Sequence, residues 1–272
     1  MTLPIEIESY EDFQMYVSSH YINNKLIRLF RGQKENKSLY PKLLRLYENY
    51  RCENFLMEDV RKFEEIEVNL LEKFKSEIKS MNLDKFDENN WNFLSIAQHY
   101  GLPTRLLDWT SNPLVALWFA FFEEGDYDGS DQFRFVWGVA FDENLTGEYP
   151  KQDYNNFKGV QVFKPIEIDQ RIINQEAWFS VQSVNYSDQS QINNNPTSVM
   201  SHSFVPIDDL YTFEYSFVEM KIKDTKELRI EILEKLNEAG INHFFLFPDK
   251  ISELCKRIIT EEFPSSHAGA SL

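Results

Sequence analysis

The segment Leu114–Phe122, Leu-Val-Ala-Leu-Trp-Phe-Ala-Phe-Phe, restricts the fold more than any other part of this chain. Asn112-Pro113 opens it as a helix, because proline is tolerated in a first turn. A helix that is apolar all round belongs inside a core. It is too short to cross a bilayer, which takes about 20 residues. Directly before it runs Ala97-Gln-His-Tyr-Gly-Leu-Pro-Thr-Arg-Leu-Leu-Asp-Trp-Thr-Ser111, which crowds His99, Thr104, Arg105, Asp108, Thr110 and Ser111 together. Hydrogen-bonding groups tied to a rigid buried element are how a protein positions chemistry.

The rest of the chain divides by hydrophobic period. Residues 10–20 read as a short helix with Phe13, Met15 and Val17 inward. The clearest helix covers 57–80, where Val60, Phe63, Ile66, Leu70, Leu71, Phe74 and Ile78 recur at spacings of three and four. Residues 91–100 form another helix, with Gly101 as its C-terminal cap. Lys25–Phe30 alternates as a strand and ends at Arg31-Gly32-Gln33, where glycine permits a turn or a close backbone approach. Residues 39–46 follow, with Pro41 at a helix start. The second half changes character: 133–141, 159–163, 177–184, 213–222 and 244–247 read as strands. Residues 223–239 read as an amphipathic helix capped by Gly240, and 251–259 as a closing helix. Helices early and strands late make the class α+β. The expected architecture is one domain over 1–262, with an N-terminal helical layer and a flexible tail over 263–272.

Charge narrows the function. Lys and Arg number 28 against 44 Asp and Glu, a formal net charge of −16. That disfavours a protein that coats nucleic acid or sits on anionic membranes, since both need clustered cations. Cys52 and Cys255 form no CxxC pattern, so they carry no zinc or disulfide framework. The N-terminal residues lack the pattern of a signal peptide, and a cytoplasmic location is the expectation. There is no P-loop, GxGxxG, GxSxG or HExxH. His99, His202 and His243 are too scattered to suggest a metal site. The acidic runs Glu64-Glu65-Glu67 and 84–88 read as solvated faces.

Phe30-Arg31-Gly32, Pro41-Lys-Leu-Leu-Arg45, the stretch 97–120 and Arg171-Ile-Ile-Asn-Gln-Glu-Ala-Trp-Phe179 together resemble the FRG domain family. The resemblance runs over roughly residues 9–259. The family's pattern is in turn similar to the ADP-ribosyltransferase fold, which implies two small mixed or antiparallel sheets around an NAD cleft, with peripheral helices. An early strand ending in an aromatic-Arg-Gly matches Phe30-Arg31-Gly32. A middle strand ending in Ser/Thr matches Trp109-Thr110-Ser111. The third strand of such enzymes carries a glutamate, and here the motif position holds Gln175 with Glu176 beside it.

The resemblance implies an NAD-dependent mono-ADP-ribosyltransferase acting on a macromolecular acceptor, as in a bacterial toxin or phage-defence effector. NAD is then its substrate. Arg31 fits a phosphate because a guanidinium pairs bidentately with such anions; its other reading is a structural ion pair. Gly32 would admit a close backbone approach. Gln175, Glu176, Thr110 and Asp108 are the catalytic candidates, and His99, Thr104 and Arg105 join Arg31 and Gly32 as NAD-binding ones. Asp108 also reads as a cap or a partner of Arg105, His99 as a structural histidine, and Gln175 as a buried amide. A non-catalytic nucleotide- or protein-binding module and an NAD glycohydrolase are the alternatives. The acceptor is a protein or, if Lys34, Lys37, Lys42, Arg45 and Arg51 line one groove, RNA or DNA. A toxin would also need a neutralising antitoxin.

Overall fold

The computed structural model describes residues 4–19, 26–48, 57–80, 90–123, 132–142, 146–147, 160–182, 207 and 215–248. The expected helix over 251–259, the loop 186–203 and the tail 263–272 lie outside them. The strands in chain order are β1 (Ile5–Ile7), β2 (Leu26–Gln33), β3 (Leu106–Thr110), β4 (Phe133–Asp142), β5 (Thr146–Gly147), β6 (Val160–Phe163), β7 (Ala177–Gln182) and β8 (Tyr215–Lys223). The helices are α1 (Tyr10–Ser19), α2 (Lys42–Glu48), α3 (Met57–Ser80), α4 (Asn90–His99), α5 (Pro113–Phe121), α6 (Gln170–Asn174), α7 (Lys226–Glu238) and α8 (His243–Leu246). The protein is thus of mixed α+β class. Among the described residues, no helix is long and apolar enough to cross a membrane.

The strands pair in the order β1-β8-β4-β2-β3-β7-β6-β5. The two outer pairs, β1 with β8 and β5 with β6, are parallel. The rest are antiparallel. Hydrogen bonding therefore joins into one eight-stranded sheet what the sequence leads one to expect as two. The junction is narrow. β2 pairs with β4 along its whole length and β3 with β7 along its whole length, but β2 and β3 meet only at Phe30 and Thr110. The sheet is two four-stranded halves sharing one residue pair.

Side-chain alternation along strands sorts the core. Leu29, Leu107, Trp109, Val139, Phe141, Val160 and Val162 point to one face and form a cluster that runs across both halves. The opposite face carries two separate clusters. Phe30, Val136, Met220 and Ile222 pack under α1, α5, α7 and α8 on one half. Leu106, Phe163, Phe179 and Val181 pack under α3 and α4 on the other. The line where β2 and β3 meet, the seam, passes between these two groups of helices.

The apolar helix takes the place its composition demands. Val115, Ala116, Leu117, Ala120 and Phe121 of α5 are fully buried. Asn112 caps it, its side-chain oxygen accepting from the N–H of Leu114. Gly32 explains how close α5 lies. A Cβ at that position would stand 1.9 Å from the carbonyl oxygen of Ala116 and 2.6 Å from the nitrogen of Ala120. The backbone that approaches Gly32 is therefore that of α5, and β2 runs straight through the glycine to Gln33 instead of turning there.

Other expectations need correction. Met15 is exposed, because Phe13 and Val17, four apart, already define the inner face of α1. Ile66 is also exposed. Residues 243–246 form a helical turn, since the Asn242 side chain accepts from the N–H groups of both Phe244 and Phe245. Glu67 does not belong to a solvated acidic face: only 1% of it is exposed.

Candidate functional site

Phe30, Thr110 and Ala177 form one row across β2, β3 and β7. Beyond that row β2 and β3 part, and Arg31 bridges the gap. Its Nη1 donates to the backbone carbonyl of Asp108 at 2.7 Å and lies 3.7 Å from the carboxylate oxygen Oδ2. A side chain thus takes over where the ladder stops. Only 16% of the Arg31 side chain is exposed. Burial pushes its guanidinium below its ordinary pKa, and nearby Asp108 acts in the opposite direction.

Asp108 is the one exposed residue of β3. It points to the helix-bearing face, where the helical cover is split. The Gln98 amide, at the end of α4, donates to both its carboxylate oxygens at 3.1 and 3.0 Å. The carbonyl end of that amide accepts from the Thr104 hydroxyl at 2.8 Å, which in turn accepts from the N–H of Leu106. Thr104 is wholly buried and orients Gln98. It works at one remove from the cleft.

At the other end of β3 the chain turns from strand to helix. The Thr110 hydroxyl donates to the carbonyl of Gln175 at 2.7 Å and accepts from the N–H of Asn112 at 3.0 Å. The Ser111 hydroxyl donates to one carboxylate oxygen of Glu176 at 2.8 Å, and the Asn112 amide donates to the other at 2.9 Å. Glu176 has φ of 45° and is the non-glycine residue with positive φ among the described residues. Gln175 turns elsewhere, its amide donating to the carbonyl of Leu246 in α8 at 3.1 Å. Of the two neighbours, Glu176 presents an exposed carboxylate at the start of β7, and Gln175 satisfies a helix end.

His99 lies beside Gln98 and contacts a different acid. Its Nε2 is 2.6 Å from Oδ2 of Asp169, whose other oxygen caps α6 by accepting from the N–H of Ile172. His99 therefore ties α4 to the short helix that leads into Gln175-Glu176. That helix also carries Arg171, whose guanidinium stacks 4.6 Å from the ring centre of Phe247. Burial lowers the Arg171 pKa, while Asp169 and Asp108 act to raise it. Gln98, Asn112, Asp169 and Arg171 are site residues that sequence reasoning did not single out. Asn112 was legible as a helix cap. The others follow only from the packing of α4 against α6.

Two of the sequence candidates fall outside this constellation. Arg105 is buried and turns away from Asp108: its guanidinium pairs with Glu67, whose second oxygen accepts from the Arg105 N–H at 3.2 Å. Gly32 faces α5. The early cations each have a partner of their own. Lys34 pairs with Glu123 and Lys37 with Glu35, while Lys42 and Arg45 donate to the carbonyls of Gly101 and Tyr40. Arg51 lies outside the described residues.

Residues 27–129 match the FRG domain family, which supports that family for this chain. The matched stretch holds β2, Arg31, Asp108, Thr110 and α5, and it ends before Asp169, Arg171 and Glu176. None of the curated proteins and none of the solved structures compared with the chain matches it.

Proposed function

We propose that the FRG-matched segment and β7 together form an NAD cleft, and that the protein is an NAD-dependent mono-ADP-ribosyltransferase acting on a macromolecular acceptor. The observation that carries this reading is the Glu176 carboxylate, fixed by Ser111 and Asn112 at the end of β3, on the far side of the Phe30–Thr110 pair from the gap that Arg31 bridges. The division of the sheet into two halves joined at one pair is compatible with an ADP-ribosyltransferase-like layout.

The chemistry suits these groups. When the bond between nicotinamide and ribose breaks, nicotinamide leaves with the electron pair and the ribose becomes cationic. The acceptor nucleophile then forms the new bond and loses its proton. A fixed carboxylate near the ribose stabilises the developing positive charge without reorganising. Glu176 fills that role, with Ser111 and Asn112 holding both its oxygens in place. Arg31 binds phosphate, and Thr110 braces the loop by tying Asn112 to Gln175. Asp108 holds Arg31 through its backbone carbonyl, and His99 ties α4 to the helix that leads into Glu176. The toxin or phage-defence setting, and an antitoxin partner, belong to this same reading.

Incubation with labelled NAD and a cell lysate tests it. Transfer of label to protein or nucleic acid, lost in Glu176→Gln, is the expected result. Absence of transfer, of nicotinamide release and of NAD binding overturns it. A second reading, a module that binds nucleotide without turning it over, draws on the fact that Ser111 and Asn112 already occupy both Glu176 oxygens. It requires NAD binding that survives with no product. Free ADP-ribose as the sole product would instead identify a glycohydrolase.

A further inference from the structure

We propose that the groove between α1 and the start of α5 docks a protein acceptor, and that it takes a basic segment carrying an apolar side chain. The inference rests on the transferase reading for what becomes of the docked segment. The groove and its chemistry do not depend on it.

Helical spacing gives α1 two kinds of surface. Tyr10, Phe13 and Val17 are buried against the core. Glu11, Gln14 and Met15 fall beside them and are exposed. Together with Pro113 and Leu114 of α5 they line a groove of about 480 Å³, within the size range of binding clefts. Met15 is 68% exposed. A lone exposed apolar side chain is ordinary, whereas this one shares a concavity with a proline and a leucine.

The groove adjoins the Glu176 carboxylate through one residue. The Asn112 amide donates to Oε1 of Glu176 at 2.9 Å, and its carbonyl end accepts from the N–H of Leu114 at 3.0 Å. One end of Asn112 therefore faces the carboxylate, and the other fixes a residue of the groove wall. Pro113, the next residue along, lines the groove as well. A segment seated there lies beside the group that the transferase reading makes catalytic.

Charge selects the occupant. Among the described residues that line the groove, Glu11 supplies a carboxylate and there is no cation. Asp12 stands next to it in the first turn of α1, and the whole chain carries a net charge of −16. Nucleic acid is repelled by such a surface, because phosphate binding rests on clustered Lys and Arg. A Lys or Arg next to an apolar side chain meets an acidic rim and an apolar floor together. A protein segment offers that combination, and RNA or DNA does not.

Fluorescence polarisation of a labelled random copolymer of lysine and leucine, at one fixed ionic strength, tests the groove on the full chain. The wild type is expected to bind it. Met15→Asp is expected to weaken binding about tenfold, because it removes an apolar contact at the centre of the groove. General attraction to an acidic surface predicts the opposite sign, since this variant adds a negative charge. Glu11→Gln is expected to weaken binding several-fold. Circular dichroism confirms that each variant is folded, and should Met15→Asp fail to fold, Met15→Gln takes its place. Failure of the wild type to bind, or a Met15 variant that binds as well or better, overturns the proposal. Labelled NAD with a cell lysate forms the second arm. Label is expected on protein, with Met15→Asp lowering the label transferred per nicotinamide released. Label on nucleic acid alone overturns the protein acceptor. Met15-dependent copolymer binding without nicotinamide release keeps the groove as a docking site and removes the transferase. Transfer to protein that is indifferent to Met15 keeps the transferase and removes the groove.

Discussion

Ser111 and Glu176 are bonded twice: the Ser111 N–H donates to the Glu176 carbonyl at 3.1 Å, and its hydroxyl donates to the carboxylate at 2.8 Å. The pair locks the Glu176 main chain and side chain together, at a φ that an L-residue adopts at a cost of roughly 1–2 kcal/mol. Glu176→Gln is expected to lower nicotinamide release by about 10²–10³-fold, the size of loss that follows removal of a fixed electrostatic group. Ser111→Ala leaves the carboxylate but loosens it, so its loss is expected to be smaller. Binding of NAD, measured separately, changes little in either. Equal loss of affinity and rate would mean that the pair serves binding alone.

Glu67 and Arg105 form a buried ion pair that holds α3 against the start of β3. Removing one partner strands the other, which costs about 3–5 kcal/mol in buried pairs. Glu67→Gln and Arg105→Met are each expected to fall in that range by urea denaturation. The double replacement Glu67→Leu with Arg105→Met should recover most of the loss, because an apolar pair of similar volume needs no desolvation of charge. A double variant as unstable as the sum of the singles would contradict this.

Gly32→Ala brings a methyl group against the backbone of α5, which cannot yield as a side-chain tip does. The expected loss exceeds the roughly 1–3 kcal/mol typical of overpacking. Thermal denaturation reads it directly. A variant as stable as the wild type would show that α5 can move off β2.

Tyr10 is buried, and its burial, with Glu11 beside it, raises its hydroxyl pKa. The unfolded chain then loses this proton first as the medium becomes alkaline. The stability Tyr10 contributes is fully present below the ordinary tyrosine range near about pH 10 and is lost as pH rises through the folded value. Tyr10→Phe should flatten the alkaline decline in midpoint urea concentration. An unchanged slope would assign the decline to other groups.

Long periodic elements were legible. The period of α3, the apolar run of α5 and the alternation of β4 each state their structure, and the resemblance drew attention to Arg31, Thr110 and the pair Gln175-Glu176. What escaped was decided by contacts far apart in sequence. An acidic run does not announce that Glu67 will meet Arg105, and Gly32 reads as a turn until α5 is laid across it. Residues 244–247 are apolar enough for a strand, and the cap on Asn242 overrides them. Gln98 and Asp169 gain meaning only when α4 meets β3 and α6.

The single Phe30–Thr110 contact has a consequence for how the chain is built. The path passes from one half of the sheet to the other between β2 and β3, returns between β3 and β4, leaves again between β4 and β5, and comes back between β7 and β8. Neither half is a continuous stretch of sequence. No single cut of the polypeptide can release one as an intact fragment, so the two walls of the seam have to be assembled, and inherited, together.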